Sequence, residues 1–146
     1  MRRTIFDMEL NWIGLAAAAA TFFGVWLGHV SVRKIEREVE HIWIPSVLAL
    51  LSGVGLEIAS FLIPNLILST ICGILGVTLL WDALELAVRQ PRRVRAGFAP
   101  ANPHNPRHAM ILAMHSQATT FDWLARDPRG TPYTSVELEA LKERSL

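Results

Sequence analysis

Residues 42–88 read IWIPSVLALLSGVGLEIASFLIPNLILSTICGILGVTLLWDALELAV. From Ile42 to Leu80 the only charged side chain is Glu57, and the clearest interruption is Pro64-Asn65. The hydrocarbon core of a bilayer is about 30 Å thick, and about 20 apolar helical residues cross it. The stretch on each side of Pro64-Asn65 is that long. It therefore predicts two membrane-spanning helices, 42–63 and 66–88, joined by a tight turn. Pro lacks a backbone N–H and Asn accepts turn geometry. Pro45 falls in the first turn of its helix, where a missing N–H costs little.

Working outward, residues 11–32 form a third run of the same length, and charge crowds the segments after Val32 and after Trp81. The chain has 146 residues, 51% of them hydrophobic. A soluble fold of that size cannot hide three such runs. The expected fold is an all-α membrane protein: three transmembrane helices in a compact bundle, a cytoplasmic amphipathic helix and a short C-terminal helix. The expected organisation is an N-terminal tail over 1–10, the transmembrane domain over 11–90, a basic, Pro-rich juxtamembrane linker over 91–107, and a helical tail over 108–146. Arg2 and Arg3 precede the first run, but that run is longer than a signal-peptide core, and Ser31-Val32-Arg33-Lys34 is no small-residue cleavage site. A net charge of +1 gives no reason to expect nucleic acid. The single Cys72 excludes an intrachain disulfide.

Three spans put the chain ends on opposite sides. Arg33, Lys34, Arg37, Arg89, Arg92, Arg93 and Arg95 then share one side, facing only Arg2 and Arg3 on the other. The positive-inside rule counts these flanking cations. It places the N-terminus outside and the C-terminus in the cytoplasm. Trp12, Trp43 and Trp81 stand near span ends, as interfacial aromatics do, with Trp26 further in.

Lipid tails are as apolar as Leu, so helices in a bilayer associate by close backbone approach and interhelical hydrogen bonds. Each span offers small residues on one face: Gly14, Ala17, Thr21, Gly24 and Gly28 in the first, Gly53 with Ser46, Ala49 and Ser60 in the second, Ser69 and Gly76 with Cys72 and Ala83 in the third. These are the expected packing residues. The Gly24/Gly28 face also suits a homodimer.

Glu57 stands on the small face of the second span, about two turns from Pro64. A carboxylate inside a span is costly and marks a candidate ion or proton site. The alternative is a carboxyl bonded to Ser60, Ser52 or a backbone carbonyl for packing alone. His29 and Glu36, seven residues apart, with Glu40 and His41, form a candidate interfacial polar cluster. Their spacing matches no metal-ligand signature, and Arg33, Lys34 and Arg37 stand among them, so no metal is expected. Glu85 precedes Arg89 by four, the spacing of a helical ion pair. Arg92, Arg93 and Arg95 are expected to contact anionic lipid headgroups, at about 1 kcal/mol per charge.

Beyond the linker, Met110, Ile111, Met114, Ala118, Phe121 and Leu124 recur at helical spacing, with His108 and His115 on the other face. This predicts an amphipathic helix to about residue 125, lying on the membrane or on a partner. Asp127-Pro128-Arg129-Gly130 breaks it, and Thr134 with Glu137 makes a capping box opening a last helix to about Arg144.

One pattern resembles a known family. Trp81, Glu85 and Gln90 precede Arg93-Val94 and the ending Gly97-Phe98-Ala99-Pro100-Ala101-Asn102-Pro103. Earlier, His29 follows a Gly-rich span, with Glu36 seven residues on. This is similar to the small bacterial membrane-protein family called domain of unknown function 4491, over about residues 11–107. Val30 stands where the family has Pro after its His, the resemblance rests on no match at Glu57, and residues 108–146 extend beyond the pattern. The resemblance implies three spans and a bacterial inner membrane, and no activity.

No phosphate-cradling loop, zinc Cys pair or His-Glu-x-x-His helix occurs. The expected protein is non-enzymatic and without a cofactor. It reads as an accessory or assembly subunit packing against other membrane helices or its own copies. The alternative is a homo-oligomeric ion or proton conduit through Glu57, with Asp82 and Glu85 near its mouth.

Overall fold

The computed structural model describes residues 10–122 and 133–144. The positions of Arg2 and Arg3, the end of the long tail helix expected near residue 125, and the break at 127–130 lie outside them. Three helices are long and apolar enough to cross a membrane: α1 (Trp12–Glu38), α2 (Trp43–Leu62) and a rod covering Leu66–Arg95. The rod comprises α3 (Leu66–Leu84), a π-helical turn (Glu85–Arg89) and α4 (Gln90–Arg95). Two short helices follow, α5 (Pro106–Met114) and α6 (Ser135–Arg144).

Asparagines start three of these helices. Asn11 Oδ1 accepts from the Gly14 N–H at 2.9 Å, Asn65 Oδ1 from Ile67 and Leu68 at 3.0 and 3.1 Å, and Asn105 Oδ1 from Arg107 at 3.0 Å. Each satisfies N–H groups that have no partner within the helix. Thus Asn65 serves the loop after α2 as the cap of α3. Thr21, Ser46, Thr70 and Thr78 turn their hydroxyls back onto carbonyls four residues earlier, at 2.7–2.8 Å, so none presents a bare donor to lipid.

The three long helices form one bundle, with α3 between α1 and α2. On α1 the buried row is Ala20, Gly24, Gly28, Val32 and Glu36, at intervals of four. Gly24 and Gly28 approach α3, whereas Gly14 contacts only its own cap Asn11. Gly14 and Thr21 are exposed and Ala17 is half-buried. The expected first-span stripe is therefore occupied only in its second half, and a row of fours replaces the alternating threes and fours. Gly53 of α2 lies against Leu80 and the Gly76 carbonyl, and Ser69 donates to the Ser60 carbonyl at 2.7 Å. Outward faces carry Phe22, Trp26, Leu51, Phe61 and Val77, all exposed.

The linker expected from residue 91 begins as helix instead. Pro91 sits in the first turn of α4, and the rod continues through it to Arg95. The tail also departs from expectation. α5 stops at Met114, where His115 turns extended, and the chain doubles back so that the Ala101 N–H bonds to the Thr119 carbonyl at 2.8 Å. Val94, Ala101, Ile111 and Ala118 close a small core. That tertiary pairing overrides helical spacing beyond Met114. Gly97 makes the corner, with φ +73°, a conformation other residues rarely adopt. Thr134 and Glu137 do form the capping box: the Thr134 N–H and hydroxyl donate to Glu137 Oε2 at 2.8 and 2.9 Å.

Candidate functional site

The polar residues gather where α1, the π turn and α5 meet, at the tail end of the bundle. A second apolar cluster supports the place: Val32, Ile42 and Leu86 are buried together, with Ile35 and Val39 against them. Glu36 is the last member of α1's buried row and is only 2% exposed. The first turn of α5, fixed by the Asn105 cap and Pro106, brings it two partners. Arg107 Nη2 donates to both carboxylate oxygens at 2.8 and 3.1 Å, and His108 Nε2 lies 2.5 Å from Oε1. His108 is fully buried, and its Nδ1 accepts the Asn102 N–H at 2.9 Å. A ring nitrogen that accepts carries no proton, so His108 is neutral and its Nε2–H donates to Glu36. Glu36 and Arg107 then balance each other, as a buried charge requires.

Arg107 has a second task that follows from the sequence of the rod. Pro91 has no N–H to give the Ala87 carbonyl, and its ring crowds that oxygen. The helix answers with a π turn, in which the Gln90 N–H reaches back five residues to the Glu85 carbonyl. That leaves the Leu86 and Ala87 carbonyls without their helical donors. Arg107 supplies them: Nη2 lies 3.2 Å from the Leu86 carbonyl and Nη1 3.5 Å from that of Ala87. One guanidinium thus ties α1, the π turn and α5 together.

A second polar group adjoins it. Glu85 is buried, with Gln90 Nε2 at 3.3 Å, Arg93 Nη1 at 3.5 Å and His29 Nδ1 at 4.0 Å. The expected Glu85–Arg89 pair does not form, because the π turn carries Arg89 to the outside, where it lies over the Trp81 ring at 5.1 Å. Asp82 is buried against Gly28: a Cβ at that position would come 2.6 Å from its Oδ2. A cavity of about 320 Å³ opens beside these groups, lined by His29, Arg33, Arg37, Gln90 and Asp122 among others. Arg37 pairs with Asp122 at 2.7 Å.

The structure does not bring His29, Glu36, Glu40 and His41 together as one cluster. Glu36 turns inward to α5 and His29 faces Glu85. Glu40 and His41 are exposed in the segment after α1, because α1 ends at Glu38 and Val39 is extended. Glu57 lies in the α2–α3 interface, where a Cβ on Gly76 would come 2.7 Å from its Oε1. That oxygen is buried without a hydrogen-bond partner, and the Ser60 hydroxyl goes to the Glu57 backbone carbonyl at 2.7 Å. The three arginines expected at headgroups are all exposed, and Arg93 also reaches Glu85 at 3.5 Å. Sequence reasoning missed Arg107 and placed His108 on a solvated face. The available signal was Asn105-Pro106, a cap followed by Pro at the first helical position, which orients both side chains. Among the described residues no group of three or more His, Cys, Asp or Glu is arranged to hold a metal ion.

These features define a class: an all-helical membrane protein of three long apolar helices, closed at one end by a folded tail. The chain belongs to the family described as Domain of unknown function (DUF4491), whose family model matches residues 11–105. Glu36, Glu85, Gln90 and Asn102 fall within the match, and Arg107 and His108 lie just past it. No curated protein and no solved structure matches the chain.

Proposed function

We propose that this protein is a non-enzymatic accessory or assembly subunit of the bacterial inner membrane, its N-terminus outside and its tail in the cytoplasm. The observation that carries the reading is the state of α2. Of its residues only Gly53 is buried, and Gly55 has no neighbouring atom within 4 Å of the place its Cβ would occupy. The face of α2 that carries Gly55, turned away from α3, is free for other spans, since close approach between membrane helices needs small residues such as this one. The tail end points the same way. Glu36 is paired with Arg107 there and Glu85 with Arg93, which suits a rigid platform better than a reacting centre. Orientation follows from the cations flanking the spans on the tail side.

The test is purification of the full chain in mild detergent, followed by mass spectrometry of the intact assembly. The accessory reading predicts a defined complex with a larger membrane protein or with further copies. A monomer carrying only lipid contradicts it.

A second reading, the ion or proton conduit, is favoured by one observation: the buried, unpartnered Glu57 Oε1. It predicts proton flux in proteoliposomes that Glu57→Gln greatly reduces. Absence of flux from the wild-type assembly removes it.

A further inference from the structure

Three arginines follow Pro91, and the fold sorts them. Arg93, itself half-exposed, reaches the buried Glu85 at 3.5 Å. Arg92 and Arg95, three residues apart on one face of α4, have no hydrogen bond or ion pair among the described residues. Both open onto a groove of about 560 Å³ between the end of the rod and α5. Its apolar wall includes Val88, Met110 and Met114, and its polar rim Arg92, Arg95 and His115. No Asp or Glu is among the described residues lining it. The cavity beside α1 differs, because Glu36, Glu38 and Asp122 stand there among the cations. An adjoining cavity of about 410 Å³ repeats Arg92, Arg95 and His115, again without a carboxylate.

Three properties point to the same occupant. Arg92 and Arg95 have no counter-charge, while the third lining cation, Arg107, is balanced by Glu36, so the groove selects an anion. Val88 ends the apolar part of the third span, so the groove lies at the depth where hydrocarbon gives way to headgroups. Met110 and Met114 are 62% and 76% exposed, an apolar surface unfavourable in water and well matched to acyl carbons. Thioether chains adapt to flexible ligands, and guanidinium groups match phosphate geometry.

We propose that this groove holds one anionic phospholipid, its phosphate between Arg92 and Arg95 and the first acyl carbons against Met110 and Met114. The inference does not depend on the subunit reading, because the groove is lined by residues of one chain.

The test uses the full chain in detergent, titrated with phosphatidylglycerol or phosphatidylcholine and followed by native mass spectrometry. Wild type is expected to retain phosphatidylglycerol preferentially. In Arg92→Gln/Arg95→Gln its retention falls about thirty-fold, the effect of losing two headgroup cations. Arg33→Gln/Lys34→Gln removes the same charge outside the groove and leaves retention near wild type. Glycerol phosphate at matched concentration leaves the lipid in place. The proposal is overturned if the two double variants behave alike, or if glycerol phosphate displaces the lipid as well as a second phospholipid does. Should the groove variant fail to fold, wild-type selectivity decides, and equal retention of the two lipids overturns the proposal.

Discussion

Two glycines make room for carboxylates. Gly28 leaves the space that Asp82 fills, and Gly76 the space that Glu57 fills. A small-residue stripe is legible in sequence. What lies across from each member is not, because it depends on the rotation of the facing helix. Gly28→Ala places its methyl 2.6 Å from Asp82 Oδ2. Overpacking of this kind costs about 1–3 kcal/mol. Thermal unfolding in detergent should show the loss, and adding Asp82→Ala should restore most of it; no recovery means the collision is elsewhere. At Gly97 two constraints coincide, a φ of +73° and the Gln117 carbonyl oxygen against the position a Cβ would take. Gly97→Ala should cost at least about 1–2 kcal/mol from the backbone alone. Faster hydrogen exchange at the Ala101 and Ala118 amides would report it, and unchanged exchange would contradict it.

The informative element is the rod's tail end. Pro91, read from sequence, suggests that the third span stops before it. Instead a π turn absorbs the proline and Arg107, sixteen residues on, covers the carbonyls it frees. No local pattern announces such a repair, since its donor comes from another element. Glu36 is exposed to view in sequence as one charge among several, and burial selects it. Removing one partner of a buried charge pair costs about 3–5 kcal/mol. Arg107→Gln, with the arginine partly exposed, should sit at the lower end, about 3 kcal/mol. Glu36→Gln/Arg107→Gln should be less destabilised than the sum of its single variants, as coupled neighbours are. Strict additivity in chemical unfolding would show that the two side chains do not act as a pair.

Element boundaries mark the same limit elsewhere. The capping box of α6 is local, and sequence finds it. Glu137's carboxyl is held below the ordinary carboxylate range, first by the Thr134 backbone N–H and then by its hydroxyl. A depressed folded pKa stabilises above the unfolded value and loses that contribution as pH falls through the folded one. Acidification below the ordinary carboxylate range should therefore lower helicity at Ser135–Arg144, measured by chemical shifts; Thr134→Ala, which keeps the backbone N–H, should weaken the pH dependence, and Glu137→Gln should remove most of it. α5, by contrast, ends at Met114 because Ala118 and Thr119 return to Ala101. That pairing is non-local, so periodicity alone runs the helix too far.

At the scale of the molecule, the lengths of three apolar runs predict three membrane-crossing helices. Their order in space is a different matter: α3 lies between α1 and α2, and the tail folds onto the end of the rod. The central claim is that the turn at Pro64-Asn65 and the folded tail lie on opposite sides of a bilayer. Substituted cysteines test it directly. In a Cys72→Ser background, Asn65→Cys and Ser116→Cys are labelled with a membrane-impermeant maleimide in right-side-out and in inverted vesicles. Asn65→Cys should react in right-side-out vesicles and Ser116→Cys in inverted ones. Labelling of both from the same side would contradict the three-span account.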